Sequence, residues 1–563
     1  MKVVIVGGVA GGASAAARIR RLDENAEIKI FERSGYVSYA NCGLPYYIGG
    51  VITNPDDLTL QTPQGFWNRF RIDVKVGHEV IGINIAEKLV TVKDLENDRI
   101  FEESYDKLLL SPGAHAIRPN VPGIDNERIF YLRTVEDTFK IREYVEDSKP
   151  KKAVIVGGGF IGLEVAENLR DIGVDVTVLQ RPAQLMNILD YDMAAMVHMK
   201  LRSRGINVKL KAEVTGFEET NGSVKILLKG AAPLTADIVL MSIGVSPESD
   251  LAKEAGLEIG LKGSIVVNDR METSVKDVYA VGDVIQVKHA VSGKDEVISL
   301  AGPANKQGRT AADNICGYDS RFKGSMASSV IKLFDMTAAS TGLTEKTAKQ
   351  AGLEYDRVVL EPMSHAIYYP GAGSMMMKVI FEKATARILG AQIVGYEGVD
   401  KRIDVLATAI SAKMTAHELK DLDLSYAPPY SSAKDPVNMA GFMIENIVTG
   451  KVKQIHWNEL DKLPADDSVN LLDARTPFEY EMGHIDGFIN IPVDDLRSRL
   501  VELDSSKPTY IICHSGLRSY IACRILSQRG FDCYNFSGGY SFYSTVMEEK
   551  LLAEQSYPCG MEK

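Results

Sequence analysis

Two short β-branched runs in this chain each lead into a glycine turn and then a helix, and they lie about 150 residues apart. Val3-Val4-Ile5-Val6 precedes Gly7, Gly8, Gly11 and Gly12, an alanine-rich helical stretch from Ala13 to Leu22, and a second strand, Ile28 to Phe31, ending in Glu32. Ala153-Val154-Ile155-Val156 leads into Gly157, Gly159 and Gly162, a helix to about Ile172 and the strand Val176 to Leu179. A strand that reverses through a helix into a second strand builds a parallel sheet. Glycines at the turn let backbone N–H groups approach a pyrophosphate at the positive end of the helix. Two such openings predict two nucleotide-binding folds in one chain.

The 563 residues exceed one compact core, and 45% hydrophobic with 25% charged residues is the balance of a folded, water-soluble chain. A net charge of -11 argues against general binding to nucleic acid or anionic membrane, while leaving room for a local basic pocket. Six cysteines, none spaced as CxxC, exclude a secreted disulfide framework and predict no metal site. The uncharged stretch from Val3 to Ala17 is broken by four glycines and is too short to span a bilayer. A cytoplasmic location is expected.

The two turns differ. Gly157-Gly158-Gly159-Phe160-Ile161-Gly162 fits GxGxxG in full, whereas Val9 replaces the middle glycine of the first copy. Glu32, about 20 residues on, is placed to accept hydrogen bonds from an adenosine ribose. The second copy has Gln180 and Arg181 there, which leaves NADH and NADPH both open, since Arg181 could attract a 2′-phosphate or face solvent. With Ser111-Pro112-Gly113-Ala114 and Val281-Gly282-Asp283, this order of motifs resembles the flavin-dependent pyridine nucleotide-disulfide oxidoreductases over roughly residues 1–447. The resemblance implies FAD in the first fold, NADH or NADPH in the second, and a contact between Asp283 and the flavin ribityl chain.

Members with two redox cysteines carry CxxxxC after the first fold. Here Ser38-Tyr39-Ala40-Asn41-Cys42-Gly43-Leu44-Pro45-Tyr46 holds one. A lone Cys42 must form a mixed disulfide with substrate or cycle through a sulfenic acid. His365-Ala366-Ile367-Tyr368-Tyr369-Pro370-Gly371 and Leu424-Ser425-Tyr426-Ala427-Pro428-Pro429-Tyr430 are similar to the tyrosine motifs of coenzyme A disulfide reductases. That likeness implies that Tyr368 and Tyr426 reach a partner subunit's cysteine across a homodimer, where a phenol could protonate the departing thiolate. It also implies CoA contacts from Arg18, Arg21, Ser38, Asn41, Gln61, Phe66, Arg69 and Arg71, the cations answering the phosphates of CoA.

Beyond residue 458, Leu472-Asp473-Ala474-Arg475 and Gly483-His484-Ile485-Asp486-Gly487 resemble a rhodanese domain, as does Cys513-His514-Ser515-Gly516-Leu517-Arg518-Ser519 between a strand and a helix. Such a loop gathers N–H groups around an anion, and with Arg518 it is expected to favour a Cys513 thiolate that accepts sulfane sulfur. Four residues between Cys513 and Arg518, instead of the five of CxxxxxR phosphatases, suit sulfur transfer. Asp473 and Arg475 are expected as structural or rim residues, Cys316, Cys523 and Cys533 as packing thiols, and Cys559 as a tail thiol.

The expected fold class is α/β: two Rossmann-like nucleotide-binding domains, an α+β dimerisation domain and a C-terminal α/β rhodanese domain. The expected spans are 1–149 and 251–324 for FAD binding, 150–250 for NAD(P)H, 325–447 for dimerisation, 448–458 for a linker, 459–552 for rhodanese and 553–563 for a tail. The implied activity is NAD(P)H-driven reduction of CoA persulfide, polysulfide or CoA disulfide, with sulfane sulfur delivered through Cys513. The alternatives are an NAD(P)H oxidase or peroxidase using Cys42 sulfenic acid, and a non-catalytic sulfur carrier or redox sensor.

Overall fold

The computed structural model describes residues 1–464 and 466–555, so Cys559 lies outside the described residues. The described residues divide into two units, the first built from 1–185 and 205–327, the second from 186–204, 328–464 and 466–555.

The first unit contains two parallel five-stranded sheets of the same design. One has the order Val278–Ala280, Lys107–Leu110, Lys2–Val6, Glu27–Glu32, Asp73–Val76. The other runs Asn207–Leu210, Asp175–Gln180, Lys152–Val156, Ile238–Met241, Ile129–Tyr131. Each is accompanied by a three-stranded antiparallel sheet, His78–Asn84 to Arg99–Ser104 in one case and Val214–Thr220 to Ala231–Ala236 in the other. Strand residues such as Val3, Ile5, Ile30 and Leu109 are fully buried, as expected of sheets covered on both faces. The strand Val278–Ala280 completes the first sheet from the expected second FAD-binding segment. Ile129–Tyr131 departs from expectation: it lies ahead of residue 150, yet it pairs with Ile238–Met241 and extends the second sheet.

In the second unit an antiparallel sheet has the order Ser329–Leu333, Met336–Gly342, Ile388–Gly395, Met375–Glu382, Tyr355–Leu360. Residues 186–204, expected within the second nucleotide fold, cluster with this unit. Lys378 carries their buried connection, its ammonium 2.9 Å from both carboxylate oxygens of Asp192 and 3.0 Å from Asp190. A final parallel sheet follows, Lys453–Ile455, Cys533–Phe536, Thr509–Ile512, Asn470–Asp473, Ile489–Asn490. The segment expected as a linker therefore supplies an edge strand, Lys453–Ile455, paired in parallel with Tyr534–Phe536. Its polar residues hid it, but an edge strand accommodates lysine on its open side. No helix of the described residues is long and apolar enough to cross a membrane.

Candidate functional site

Both glycine turns are shaped by steric exclusion. Gly157 has φ +114°, and a Cβ there would run into the Ser242 carbonyl oxygen, while one at Gly162 would meet the carbonyl of Gly157. Gly7 and Gly12 repeat this against Ser111 and Gly7. Gly159 is different, because its missing side chain faces open space. No protein atom explains that glycine, whereas close approach of a phosphate to the helix Phe160–Asp171 does. Gly8 donates to Glu32 Oε2 at 2.8 Å, and Oε1 accepts from Ser34 N and Oγ at 3.0 and 2.9 Å. Beside it opens a cleft of about 350 Å³ lined by Val6, Gly7, Glu32, His78, Pro112 and Leu251 among others. These residues fit a dinucleotide with its nucleoside end in the cleft. Gln180 is the counterpart of Glu32, accepting from Gly158 N at 3.0 Å, so the turn needs an acceptor there but not a charge. Arg181 is exposed.

Cys42 lies in the one-turn helix Asn41–Gly43, directly ahead of the helix Leu44–Ile48, and is exposed in the single chain. Local crowding of its sulfur pushes the thiol up from its ordinary value; Glu164 and Asp283 add to this and Arg133 opposes it. Arg133 is a site residue that no local motif announced. Its guanidinium donates to Asp283 Oδ2 at 2.7 Å and to the Ala114 carbonyl at 2.8 Å. In the amide orientation that satisfies both groups, Asn41 donates to the Arg133 carbonyl at 3.1 Å and accepts from Nη1 at 3.3 Å. Arg133 thus joins the segment after Ser111 and Gly113 to Asp283 and the Cys42 turn. Glu164, two residues beyond Gly162 on the helix Phe160–Asp171, is the second such group. Its carboxyl is pushed up to about 7 by burial, against the Tyr46 hydroxyl 3.5 Å away, which holds it down, and with nearby Glu167 raising it further.

In the second unit the Tyr368 and Tyr426 hydroxyls share a hydrogen bond of 2.6 Å. Both rings are exposed, as are Ile367 and Tyr430 at 76% and 71%. So large an aromatic surface on one chain has the character of a docking face.

Cys513 is 1% exposed at the end of Thr509–Ile512. Its sulfur accepts from Gly516 N at 3.1 Å and Ser519 Oγ at 3.2 Å, while Tyr540 N anchors the loop through the Cys513 carbonyl at 2.8 Å. Arg518 interacts electrostatically with Cys513 and is also paired with an acid. Its two nitrogens bind Glu479 at 2.6 and 2.7 Å, and Glu479 is held down to about 2 chiefly by that contact. The cation is largely neutralised there, and it is Gly516 N–H and the Ser519 hydroxyl that bond to the sulfur. Arg475 and Asp473 form a buried pair at 2.6 Å that also holds the Gly483 carbonyl. Asp473→Ala strands a buried cation and is expected to destabilise this module by about 3–5 kcal/mol, read by thermal unfolding of the full chain. Cys523 and Cys533 lie in the core of this module, where burial pushes both thiols up, Cys533 to about 12.

Residues 1–308 match the family model described as pyridine nucleotide-disulphide oxidoreductase, residues 328–436 its dimerisation domain, and residues 456–545 a rhodanese-like domain. The chain belongs to the pyridine nucleotide-disulphide oxidoreductases. A coenzyme A disulfide reductase of Staphylococcus haemolyticus is 38% identical over 447 residues, 79% of this chain and 100% of that one. The reduced Bacillus anthracis CoADR-RHD crystal structure superposes with TM-score 0.95 at 47% identity, covering 97% of this chain and 98% of that one. A NAD-dependent persulfide reductase from A. fulgidus gives TM-score 0.90 at 38% identity, covering 96% and 100%. This oxidoreductase accordingly combines two nucleotide-binding folds, a dimerisation domain and a rhodanese-like module.

Within the oxidoreductase the expected CoA residues fall into two groups. Arg20, buried and unforeseen, donates to the carbonyls of Phe70, Arg71, Asp23 and Glu24, and so ties the helix Ala10–Leu22 to the end of the helix Pro63–Phe70. This brings the segment of Arg18 and Arg21 to that of Arg69 and Arg71. Arg21, Arg69 and Arg71 are exposed, whereas Arg18 is paired with Asp313 at 2.7 Å. Arg71 takes φ +50° and lies over the Trp67 ring at 5.5 Å. Ser38, at φ +49°, and Gln61 are half-buried. Phe66 is corrected: it is 2% exposed and packed in the core, where its ring cannot present a surface to CoA.

Glu164 makes the oxidoreductase sensitive to pH near Cys42. Below about 7 its carboxyl is neutral, and above that it places a negative charge near the thiol. Glu164→Gln is expected to move Cys42 alkylation by iodoacetamide, followed by peptide mass spectrometry, to lower pH; superimposable profiles would refute the coupling. Because the folded carboxyl holds its proton to about 7 against an ordinary 4.5, its contribution to stability is full below 4.5 and lost as pH rises through about 7. Glu164→Gln should therefore melt higher than the parent at pH 8 and no higher at pH 4.

Proposed function

We propose that the chain is a cytoplasmic, homodimeric reductase of CoA persulfide, polysulfide and CoA disulfide that draws electrons from NADH or NADPH. FAD, when bound, supplies two-electron transfer from the nicotinamide to sulfur. The single redox cysteine carries this reading. Cys42 thiolate attacks the CoA-bound sulfur of a persulfide, forming Cys42–S–S–CoA and expelling hydrosulfide; with CoA disulfide it expels CoA thiolate. Two electrons and a proton return Cys42 thiolate and CoA thiol. The net change is CoA–S–SH plus NAD(P)H to CoA–SH, hydrosulfide and NAD(P)⁺. Tyr368 and Tyr426 of the opposite subunit hold the proton delivered to the departing sulfur, and their exposure in one chain supports a role completed by dimerisation.

Glu32 and Gly159 would hold the two dinucleotides, with Arg133 fixing Asp283 and Asn41 beside Cys42. Arg21, Arg69 and Arg71 offer charge to the CoA phosphates. Cys513 carries sulfane sulfur from a donor to CoA, and five free cysteines among the described residues accord with a reducing compartment. The test is anaerobic hydrosulfide release from CoA persulfide with NADH or NADPH, against CoA disulfide at equal concentration. Turnover of either substrate supports the reading, and their ratio assigns the preferred one. Turnover with oxygen or peroxide alone, and with neither CoA substrate, overturns it.

A further inference from the structure

Arg402 has the largest fully buried side chain among the described residues, 1% exposed on the helix Val399–Ser411. Nothing about disulfide chemistry calls for a guanidinium inside a dimerisation domain, and a buried ion pair adds little stability over well-packed apolar residues. Its contacts show what it organises. Nη2 faces the Ser364 carbonyl at 2.9 Å, the Tyr430 carbonyl at 3.3 Å, Ser431 Oγ at 3.1 Å and Asp435 Oδ2 at 3.0 Å. Nη1 donates to the Gly398 carbonyl at 3.3 Å.

These acceptors belong to two irregular loops far apart in sequence. Ser364 opens the loop of Tyr368, and Tyr430 and Ser431 close the turn that begins beside Tyr426, with Tyr430 N bonded to the Ala427 carbonyl at 2.9 Å. The loops are joined by Ala366 N to the Ser431 carbonyl at 3.0 Å. Asp435 completes the hub, accepting from Ser431 Oγ at 2.7 Å and capping the helix Pro436–Val448 through Val437 N at 3.0 Å. Both phenols are exposed in the single chain, so their 2.6 Å contact depends on how these loops are held from below.

We propose that Arg402 is a positioning residue for the reaction, setting the Tyr368–Tyr426 pair by anchoring both tyrosine loops to one buried guanidinium that Asp435 neutralises. The proposal rests on the reading that the tyrosine pair serves the proposed reduction. Lysine in place of Arg402 keeps the charge but cannot reach both loops with one planar group.

The experiment uses the full-length, flavin-loaded dimer, with oligomeric state checked by light scattering. Arg402→Lys is expected to lower kcat for CoA disulfide by about ten- to a hundredfold, the scale of a small misplacement of a reacting group. KM and the rate of flavin reduction by NADH should stay within about twofold of the parent, a split that general loosening of the fold would not produce. In a Tyr426→Phe background the same substitution should change kcat by less than about twofold, because its effect passes through the pair. Asp435→Asn, which leaves Arg402 its other acceptors, should show a smaller loss of the same kind and the same silence, and it carries the comparison if Arg402→Lys does not assemble. Parental kcat in Arg402→Lys, or equal losses in both backgrounds, overturns the proposal. If Tyr426→Phe alone turns over like the parent, the tyrosine reading fails and this proposal falls with it.

Discussion

Turnover of both CoA disulfide and CoA persulfide is expected to fall by at least about a thousandfold in Cys42→Ser, because serine can form no mixed disulfide and no other sulfur is proposed for that step. The substitution replaces sulfur by oxygen at an exposed position, so folding and dinucleotide binding should be unchanged. Sulfur transfer from thiosulfate to cyanide or CoA through Cys513 should persist, since Cys513 is held by Gly516 and Ser519 of its own module. Hydrosulfide release that survives Cys42→Ser but is lost in Cys513→Ser would reassign the reduction to the rhodanese-like loop.

Tyr426→Phe should lower kcat for CoA disulfide by about a hundredfold, within the range of general acid catalysis, with a far smaller change in KM. The hydrogen bond that Tyr426 donates to Tyr368 holds its phenol above the ordinary 10, so it keeps its proton throughout neutral and mildly alkaline solution. An alkaline loss of kcat arising from this phenol belongs above pH 10 in the parent and moves to lower pH in Tyr368→Phe. Mixed dimers test where the tyrosines act. A Cys42→Ser chain paired with a Tyr426→Phe chain contains one doubly defective site and one intact site if the tyrosine crosses the interface. The mixed dimer should recover about half the parental activity, and a freely re-associated equimolar mixture about a quarter. No recovery would place both residues in the same subunit.

What could be read in advance followed from locality. The glycine turns, the Cys42 segment and the Cys513 loop are each contained in a dozen residues or fewer, and steric or electronic demands at such range leave a pattern in the letters. Arg133, Glu164, Arg20 and Arg402 left none, since each acts on groups from distant parts of the chain: Asp283 for Arg133, Tyr46 for Glu164, Phe70 for Arg20, and two separate loops for Arg402. Glu164 was the nearest to visible, an acid two residues past the last glycine of a full motif. Arg518 and Phe66 show the complementary effect. Their residue types suited a ligand, but Glu479 and the core respectively had the stronger claim. Lys453–Ile455 shows the limit of composition as a guide to boundaries, because strand pairing with Tyr534–Phe536 outweighs polarity.

The strand Tyr355–Leu360 closes one side of the antiparallel sheet, and the rhodanese-like module sits on it: Val359 N donates to Ser537 Oγ at 3.1 Å and Gln454 donates to the Arg357 carbonyl at 2.8 Å. A gene truncated after residue 449 would therefore yield more than a reductase without its sulfurtransferase. It would take Ser537 and Gln454 away from Val359 N and the Arg357 carbonyl and leave the outer side of that strand bare, the kind of template on which chains stick to one another. The appended module thus doubles as a cover for a sheet edge, and a chain shortened there is expected to associate through that strand unless charged side chains are placed along it.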